Sequence, residues 1–482
     1  MTQKKFIPIV LASLLAAHGA SASGILLAIG SLSGNISDLS TQTAAPLENG
    51  VAGNLLGGLG SGLAWAGGNT FIATPDRGPN ATAYNPLVDN TTSYIERFQT
   101  IRMILSGNAS GPGLPFTLSP TLTATTLLSS PTALVYGSGA AGTGTVGGVS
   151  YGLGSGVPSL NAVNGTNYFT GRSDNFDPSR SSTHPDNARL DAEGVRVSSD
   201  GKSIFVSDEY GPYVYQIDRA TGSRMKSFAL PANLAIGNLS AQGAVEISGN
   251  ATGRVANKGM EGLAITPDGK TLVGIMQAPL KQDTNGSLRI VTIDIASGAT
   301  HQYAYMLTTG SGVSEIVALN DHQFLVDERD GKGLGDGTNA KIKQIFKIDL
   351  AGAQDVGSLS GNLSSKAVAK TLLLDLVPLL NAAGIASDQI PSKIEGLAFG
   401  QDVLFNGLTE HTLFISSDND FVPGLAGDNK FFVFGISDAD LTAVNASYLE
   451  QTIAQVPEPA ALHTLLLLGF GMFFFTARRR GA

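Results

Sequence analysis

EGVRVSSDGKSIFVSDEYG, Glu193 to Gly211, is the stretch on which the fold turns. A glutamate-glycine pair opens a short apolar run, Ser199-Asp200-Gly201-Lys202 makes a tight turn, and a second alternating run ends in acids. Glycine supplies positive φ in such a turn and aspartate bonds its own backbone, so the segment reads as a hairpin. The unit recurs as EGLAITPDGKTLVGIMQ from Glu261, EIVALNDHQFLVDERDG from Glu315 and EGLAFGQDVLFNGLTEHTLFISSDND from Glu395. A fifth copy, SGLAWAGGNTFIATPDRG from Ser61, keeps the glycine, the turn and a terminal Asp76-Arg77 pair, but carries serine where the others carry glutamate. Internal repeats of hairpin units indicate a propeller or solenoid, which gathers equivalent residues around one axis. Function is expected where these carboxylates meet.

The two ends read as export signals. Met1 to Ala22 has a Lys4-Lys5 n-region, an apolar run from Phe6 to Ala17 and a small-x-small site at Ala20-Ser21-Ala22, the pattern of a secretory signal peptide. It implies the Sec translocon and signal peptidase as partners. Near the other end, Val456-Pro457-Glu458-Pro459 precedes an apolar stretch from Ala460 to Ala477 and then Arg478-Arg479-Arg480. As a helix that stretch would be roughly 27 Å long, enough to span a bilayer with the arginines on the cytoplasmic side. The order of Pro-Glu-Pro, apolar helix and basic tail closely resembles the PEP-CTERM sorting signal of Gram-negative bacteria. The resemblance implies transient inner-membrane anchoring, recognition by an exosortase, and then a cell-surface or extracellular destination.

Without Lys4, Lys5 and the three terminal arginines, the formal net charge moves from -9 to about -14. An acidic body argues against nucleic acid as a partner and leaves room for divalent cations. The chain has no cysteine, which excludes disulfides and thiolate metal sites.

Residues 23–60 read as a lead-in strand and loops, residues 61–450 as the repeat body, and 451–459 as a linker. Within the body, Tyr94 to Ile104 alternates as an outer strand would, whereas the stretch to about Tyr168 is dominated by Gly, Ser, Thr and Leu and reads as a degenerate blade with an insertion. Later units each end in an alternating strand before an aspartate, at Asp218, Asp294 and Asp349. Ser365 to Ala383 reads as a helical insertion. The expectation is an all-β propeller of six or seven blades with this short helix added. In such a fold the Glu-Gly pair opens the innermost strand, where glycine allows close backbone approach and glutamate can project into the channel.

At these residues the chain resembles the phytase-like family, also called esterase-like activity of phytase. The matching segments are Asp191 to Val195 with Val206 to Pro212, Asn257 to Leu263, Ser314 to Ile316 with Glu328 to Asp330, and Lys393 to Leu397 with Ser417 to Phe421. The resemblance implies a propeller and a hydrolase of phosphate or other esters. Calcium held by clustered acids is the cofactor it implies, with Glu193, Asp208, Glu209, Glu261, Glu315, Glu395, Asp418 and Asp420 as candidate ligands. Oxygen-only donors of this kind suit calcium or magnesium better than zinc. Asp76, Arg77, Arg189, Glu328, Arg329 and Asn419 are the candidate substrate contacts, arginine being able to grip a phosphate bidentately.

Other roles stay open at this level. The repeated glutamates can instead lock the ring by pairing with arginine or backbone amides of adjacent blades. Asp208-Glu209 and Asp418-Asn419-Asp420 can simply make turns, and Glu328-Arg329 can be an ion pair. No Gly-x-Ser-x-Gly elbow lies between a strand and a helix, so a serine nucleophile has no support. Against the hydrolase stand a non-catalytic propeller bound to surface polysaccharide and a gluconolactonase-like lactonase.

Overall fold

Alternation of apolar and polar residues with period two builds strands with two distinct faces. In the computed structural model these strands form five antiparallel sheets among the described residues, four of four strands and one of five, arranged as propeller blades. The described residues are 24–47, 49–80, 92–108, 113–136, 143–146, 149–152, 160–161, 165–171, 186–211, 213–238, 248–307 and 310–454. The expected signal peptide, Pro457-Glu458-Pro459, the apolar stretch and Arg478 to Arg480 lie outside them. Among the described residues no helix is long and apolar enough to cross a membrane.

Blade I, from the axis outward, is Gly62–Trp65, Thr70–Thr74, Arg97–Gly107 and Phe116–Leu127. Blade II is Ala192–Val197, Ser203–Asp208, Tyr213–Asp218 and Arg224–Ala229. Blade III is Met260–Ile265, Thr271–Met276, Ser287–Asp294 and Thr300–Met306. Blade IV is Gly312–Ala318, Gln323–Arg329, Lys343–Asp349 and Lys370–Asp375. Blade V is Lys393–Phe399, Leu408–Asp418 and Asn429–Ser437, completed on its outer edge by Ile25–Leu32 from the start of the described chain. That last pairing, Ile25 opposite Gly435 through Leu32 opposite Asn429, ties the first strand into the last blade and closes the ring.

Period two has a direct consequence for packing. In blade II, Ile204 and Val206 face blade I while Phe205, between them, faces blade III. Five buried apolar clusters result, each between two consecutive blades. The ring is held by face-to-face sheet packing and has no single central core. Truncating one of these buried side chains, such as Leu263 or Ile415, costs about 2–5 kcal/mol by loss of transfer energy and cavity formation.

Two expectations are corrected here. Among the described residues the blade count is five: of the Gly/Ser/Thr-rich stretch after residue 105, Phe116–Leu127 is the long outer strand of blade I, and the other described parts form the two-stranded ladders Ser129–Ser130 with Asn167–Tyr168 and Thr143–Val146 with Val149–Gly152. The second correction concerns the helix. Lys370–Asp375 pairs with the third strand of blade IV, and α-helix in this stretch is confined to Leu376–Ala382, with a 3-10 turn at Ser364–Lys366. The Thr-Leu-Leu-Leu run completes an otherwise three-stranded blade, and that pairing overrides its helix propensity.

The five inner strands run in the same direction. Their first residues surround one opening, the front mouth, and their last residues, Trp65, Val197, Ile265, Ala318 and Phe399, line a cavity at the back. A C-terminal strap crosses this back opening. Ser447 accepts from Asn320 on blade IV, Leu449 donates to the Leu319 carbonyl, Gln451 donates to the Val197 carbonyl on blade II, and Ala454 donates to the Ser199 carbonyl. Tyr448 stacks against Phe399 and His411, with both ring centroids at 4.5 Å.

Candidate functional site

Glycine at the start of the inner strands is required by close approach. A Cβ on Gly194 would lie 2.5 Å from the Leu263 nitrogen, and one on Gly262 2.7 Å from the Glu315 Cα. The ring could not close so tightly with any other residue there. The same positions carry β-bulges: the ladder register shifts between Ala192 and Val195, Met260 and Gly262, Val313 and Glu315, and Ile394 and Leu397. In blade I, with Ser61 in place of glutamate, the ladder between the first two strands has an unbroken register. A bulge re-aims the side chain beside it, and in blades II, III and V the re-aimed group is a glutamate at the front mouth.

Eight carboxylates surround that mouth: Asp76, Asp191, Glu193, Glu209, Glu261, Glu395, Asp418 and Asp420, all buried. Three cations are set among them. Arg77 contacts Asp191 at 2.9 Å, Asp76 at 3.5 Å and Glu209 at 3.6 Å. Lys393 contacts Asp420 at 2.6 Å, Asp418 at 2.9 Å and Asp76 at 3.9 Å. Arg329 pairs with Glu395 and lies 3.8 Å from Glu261. Lys393 is the most open of the three, its side chain 25% exposed.

Three groups of ligand atoms approach closely enough to hold a metal ion, each within 4.8 Å: Asp76 with Asp191 and Glu193, Asp76 with Asp418 and Asp420, and Glu193 with Glu209 and Glu261. Glu193 belongs to two of them, yet among the described residues its carboxylate has no hydrogen bond or ion pair. Glu261 accepts from Gln277 through Oε1 at 2.5 Å, while its buried Oε2 has no hydrogen-bond partner. Orphan carboxylate oxygens beside like charges fit a hard cation, since anions left buried and uncompensated are costly. The residues present therefore suit calcium or magnesium.

Burial sets the protonation of this cluster, with neighbouring acids adding to it. It pushes Glu209 and Glu261 up to about 8, helped by the charge of Glu261 on Glu209 and of Glu395 on Glu261. Asp76 and Glu395 rise to about 7 despite their cationic neighbours, and Asp420 to about 6. Glu193 is driven well above the usual range by burial and by Glu261, Asp76 and Asp191. The Lys393 ammonium is held charged by Asp418 and Asp420 against its burial.

Not every candidate residue reaches the mouth. Glu315 accepts from the Leu263 and Ile316 amides at 2.8 and 2.9 Å and pairs with Arg196 at 3.2 Å. Arg196 in turn donates to the carbonyls of Leu63, Val195 and Ile316, joining the inner strands of blades I, II and IV below the mouth. This pair is a ring lock. Glu328 bonds the Tyr305 hydroxyl at 2.6 Å and pairs with Lys370, away from the axis. Asp208 caps the Asp191 and Tyr210 amides, Asn419 orders the Gly58 and Phe421 amides, and Arg189 lies over the Tyr210 ring at 5.2 Å.

Sequence reading passed over Asp191 and Lys393 as site residues. Each stands two positions before a repeat glutamate, and period two puts both on the same face as that glutamate. Arg196 and the buried Asp327, pushed up to about 8 by burial with no hydrogen bond to either oxygen, carried no comparable signal.

Residues 54–421 match the family described as Phytase-like, esterase-like activity of phytase, and residues 455–480 match the PEP-CTERM protein-sorting motif. The first match covers most of the chain, and the protein belongs to the phytase-like family. The sorting motif indicates export and implies an exosortase-type partner. An uncharacterized secreted protein of Arthroderma benhamiae is 34% identical over 143 residues, 25% of this chain and 27% of that protein, so the chain spans about a quarter of that relative's length. Among solved structures, hydrazine synthase of Kuenenia stuttgartiensis is similar at 15% identity and a TM-score of 0.31, covering 77% of this chain and 80% of that one. A gluconolactonase of Xanthomonas campestris is similar at 11% identity and a TM-score of 0.29, covering 86% and 98%. Likenesses of this size carry no argument about activity.

Proposed function

We propose that the chain is an exported, divalent-cation-dependent ester hydrolase working at the front mouth. The observation that carries this reading is Glu193, a buried carboxylate that has no hydrogen bond or ion pair among the described residues and is shared by two groups of potential ligands. Glu193, Glu209 and Glu261 would hold one cation, and Asp76 with Asp191 or with Asp418 and Asp420 a second. A cation there would supply Lewis acidity toward a carbonyl or phosphoryl oxygen of the substrate.

The chain's own groups define the rest. Glu209 and Glu261, both pushed up to about 8, are suited to exchange a proton with substrate or water near neutral pH. Lys393 is the cation best placed to meet an anionic substrate group, because its side chain is 25% exposed, against 6% for Arg77 and 11% for Arg329. The excess of carboxylates over cations at the mouth, even with Arg254 acting on Glu209, disfavours a polyanion such as phytate. A substrate with a single phosphate or carboxylic ester suits the charge balance better.

Assays of chelator-treated protein against phosphomonoesters, carboxylic esters and sugar lactones, with and without added calcium, test the reading. Calcium-dependent turnover that disappears in Glu193→Gln is expected. Calcium binding without turnover of any ester would favour the surface-polysaccharide role instead.

A further inference from the structure

The two ends of the channel differ in what leaves from them. The strap pins Ala454 to Ser199 on the back face, and the sorting motif begins at the next residue. Ile25, where the described chain enters blade V, pairs with Gly435 at the same end. From Ala454 to Ala460, where the apolar stretch begins, the chain reaches at most about 20 Å when fully extended. A propeller tethered so closely to a membrane-embedded segment has little freedom to turn over.

The back face also carries apolar side chains that the fold does not need outside. The loop after the inner strand of blade V forms a hairpin, with Val403 opposite Glu410 and Phe405 opposite Leu408, turning at Asn406-Gly407 where both residues have positive φ. Leu404 on this hairpin is 73% exposed and Leu408 58%, and Leu449 on the strap is 53% exposed. The mouth, with its buried carboxylates, lies at the opposite end of the channel.

We propose that the back face of the propeller lies against a lipid bilayer, with the Leu404–Leu408 hairpin at the lipid surface and the carboxylate mouth opening away from the membrane. The observations behind it are the exit point of the strap, the short reach to the apolar stretch, and exposed leucines on that same face. The inference rests on the sorting segment entering a bilayer and is independent of the hydrolase reading. Its consequence is that substrate reaches the mouth from the outer medium.

The absence of cysteine makes the test direct. Full-length chains carrying Leu404→Cys on the back hairpin, or Asn339→Cys on the exposed front loop between the second and third strands of blade IV, are labelled with a fluorophore. They are then reconstituted into vesicles of phosphatidylethanolamine, phosphatidylglycerol and nitroxide-labelled lipid, and flotation reports insertion. The expected result is flotation with several-fold stronger quenching at position 404 than at 339. Flotation with equal quenching, or with stronger quenching at 339, overturns the orientation. Failure to float removes the anchoring on which the proposal stands, and the proposal falls with it.

Discussion

Glu193 and Glu315 occupy equivalent places in the repeat, each beside a bulge at the start of an inner strand, and they do opposite things. Glu193 stands in the mouth with its carboxylate unengaged. Glu315 is turned into the ring, where two backbone amides and Arg196 take up its oxygens. Their settings differ: Glu193 falls within its bulge and is followed by Gly194, whereas Glu315 is in register with Asp327 and is followed by Ile316. A repeat position thus conserves geometry without conserving role, and what surrounds the carboxylate decides between ligand and lock.

The comparison can be broken most forcefully at the lock. Glu315→Ala leaves the Arg196 guanidinium buried without its counter-charge and two amides without an acceptor, a loss of about 3–5 kcal/mol in urea unfolding. A stability equal to that of the parent chain would show that Glu315 does not hold the ring.

A smaller effect sharpens the other side. The mouth acids have folded pKa values above their unfolded ones, Glu209 and Glu261 being pushed up to about 8 from 4.5. Between those limits the folded metal-free chain holds protons that the unfolded chain has released, so stability falls as pH rises through the window and levels off above about 8. The melting temperature of chelator-treated protein should drop by several degrees between pH 5 and pH 8.5. Glu193→Gln, with one charge fewer, should show a shallower drop, and calcium should reverse it. A melting temperature that rises over this range would contradict the assigned burial of these acids.

Much of this was legible in the residues. Asp-Gly turns and alternating runs give the hairpin, and the Glu-Gly pair marks the inner strand because only glycine tolerates a neighbour's backbone at 2.5 Å. The blade count was not legible, since Phe116–Leu127 has the Thr- and Leu-rich look of its irregular surroundings and is a strand only because Arg97–Gly107 offers it a ladder. Lys370–Asp375 misleads for the same reason, being a strand by virtue of its partner. Within the site, the acids at the ends of the repeats are readable, but their division between mouth and scaffold is not. Asp208 looks like a metal ligand and Asn419 like a substrate contact in sequence, but Asp208 Oδ1 accepts from the Asp191 and Tyr210 amides and Asn419 Oδ1 from those of Gly58 and Phe421. The reach of Arg196 to three separate inner strands depends on ring closure, which no local pattern encodes.

The central claim is that Glu193 is a cation ligand and Glu315 is not. Calorimetric titration of calcium into chelator-treated parent protein, Glu193→Gln and Glu315→Gln tests it most directly. The amide oxygen of the glutamine at 315 can still accept from Leu263 and Ile316, so the ring should stay closed. The account predicts calcium binding in the parent and in Glu315→Gln and its loss in Glu193→Gln; unchanged binding in Glu193→Gln, or loss in both variants, would contradict it.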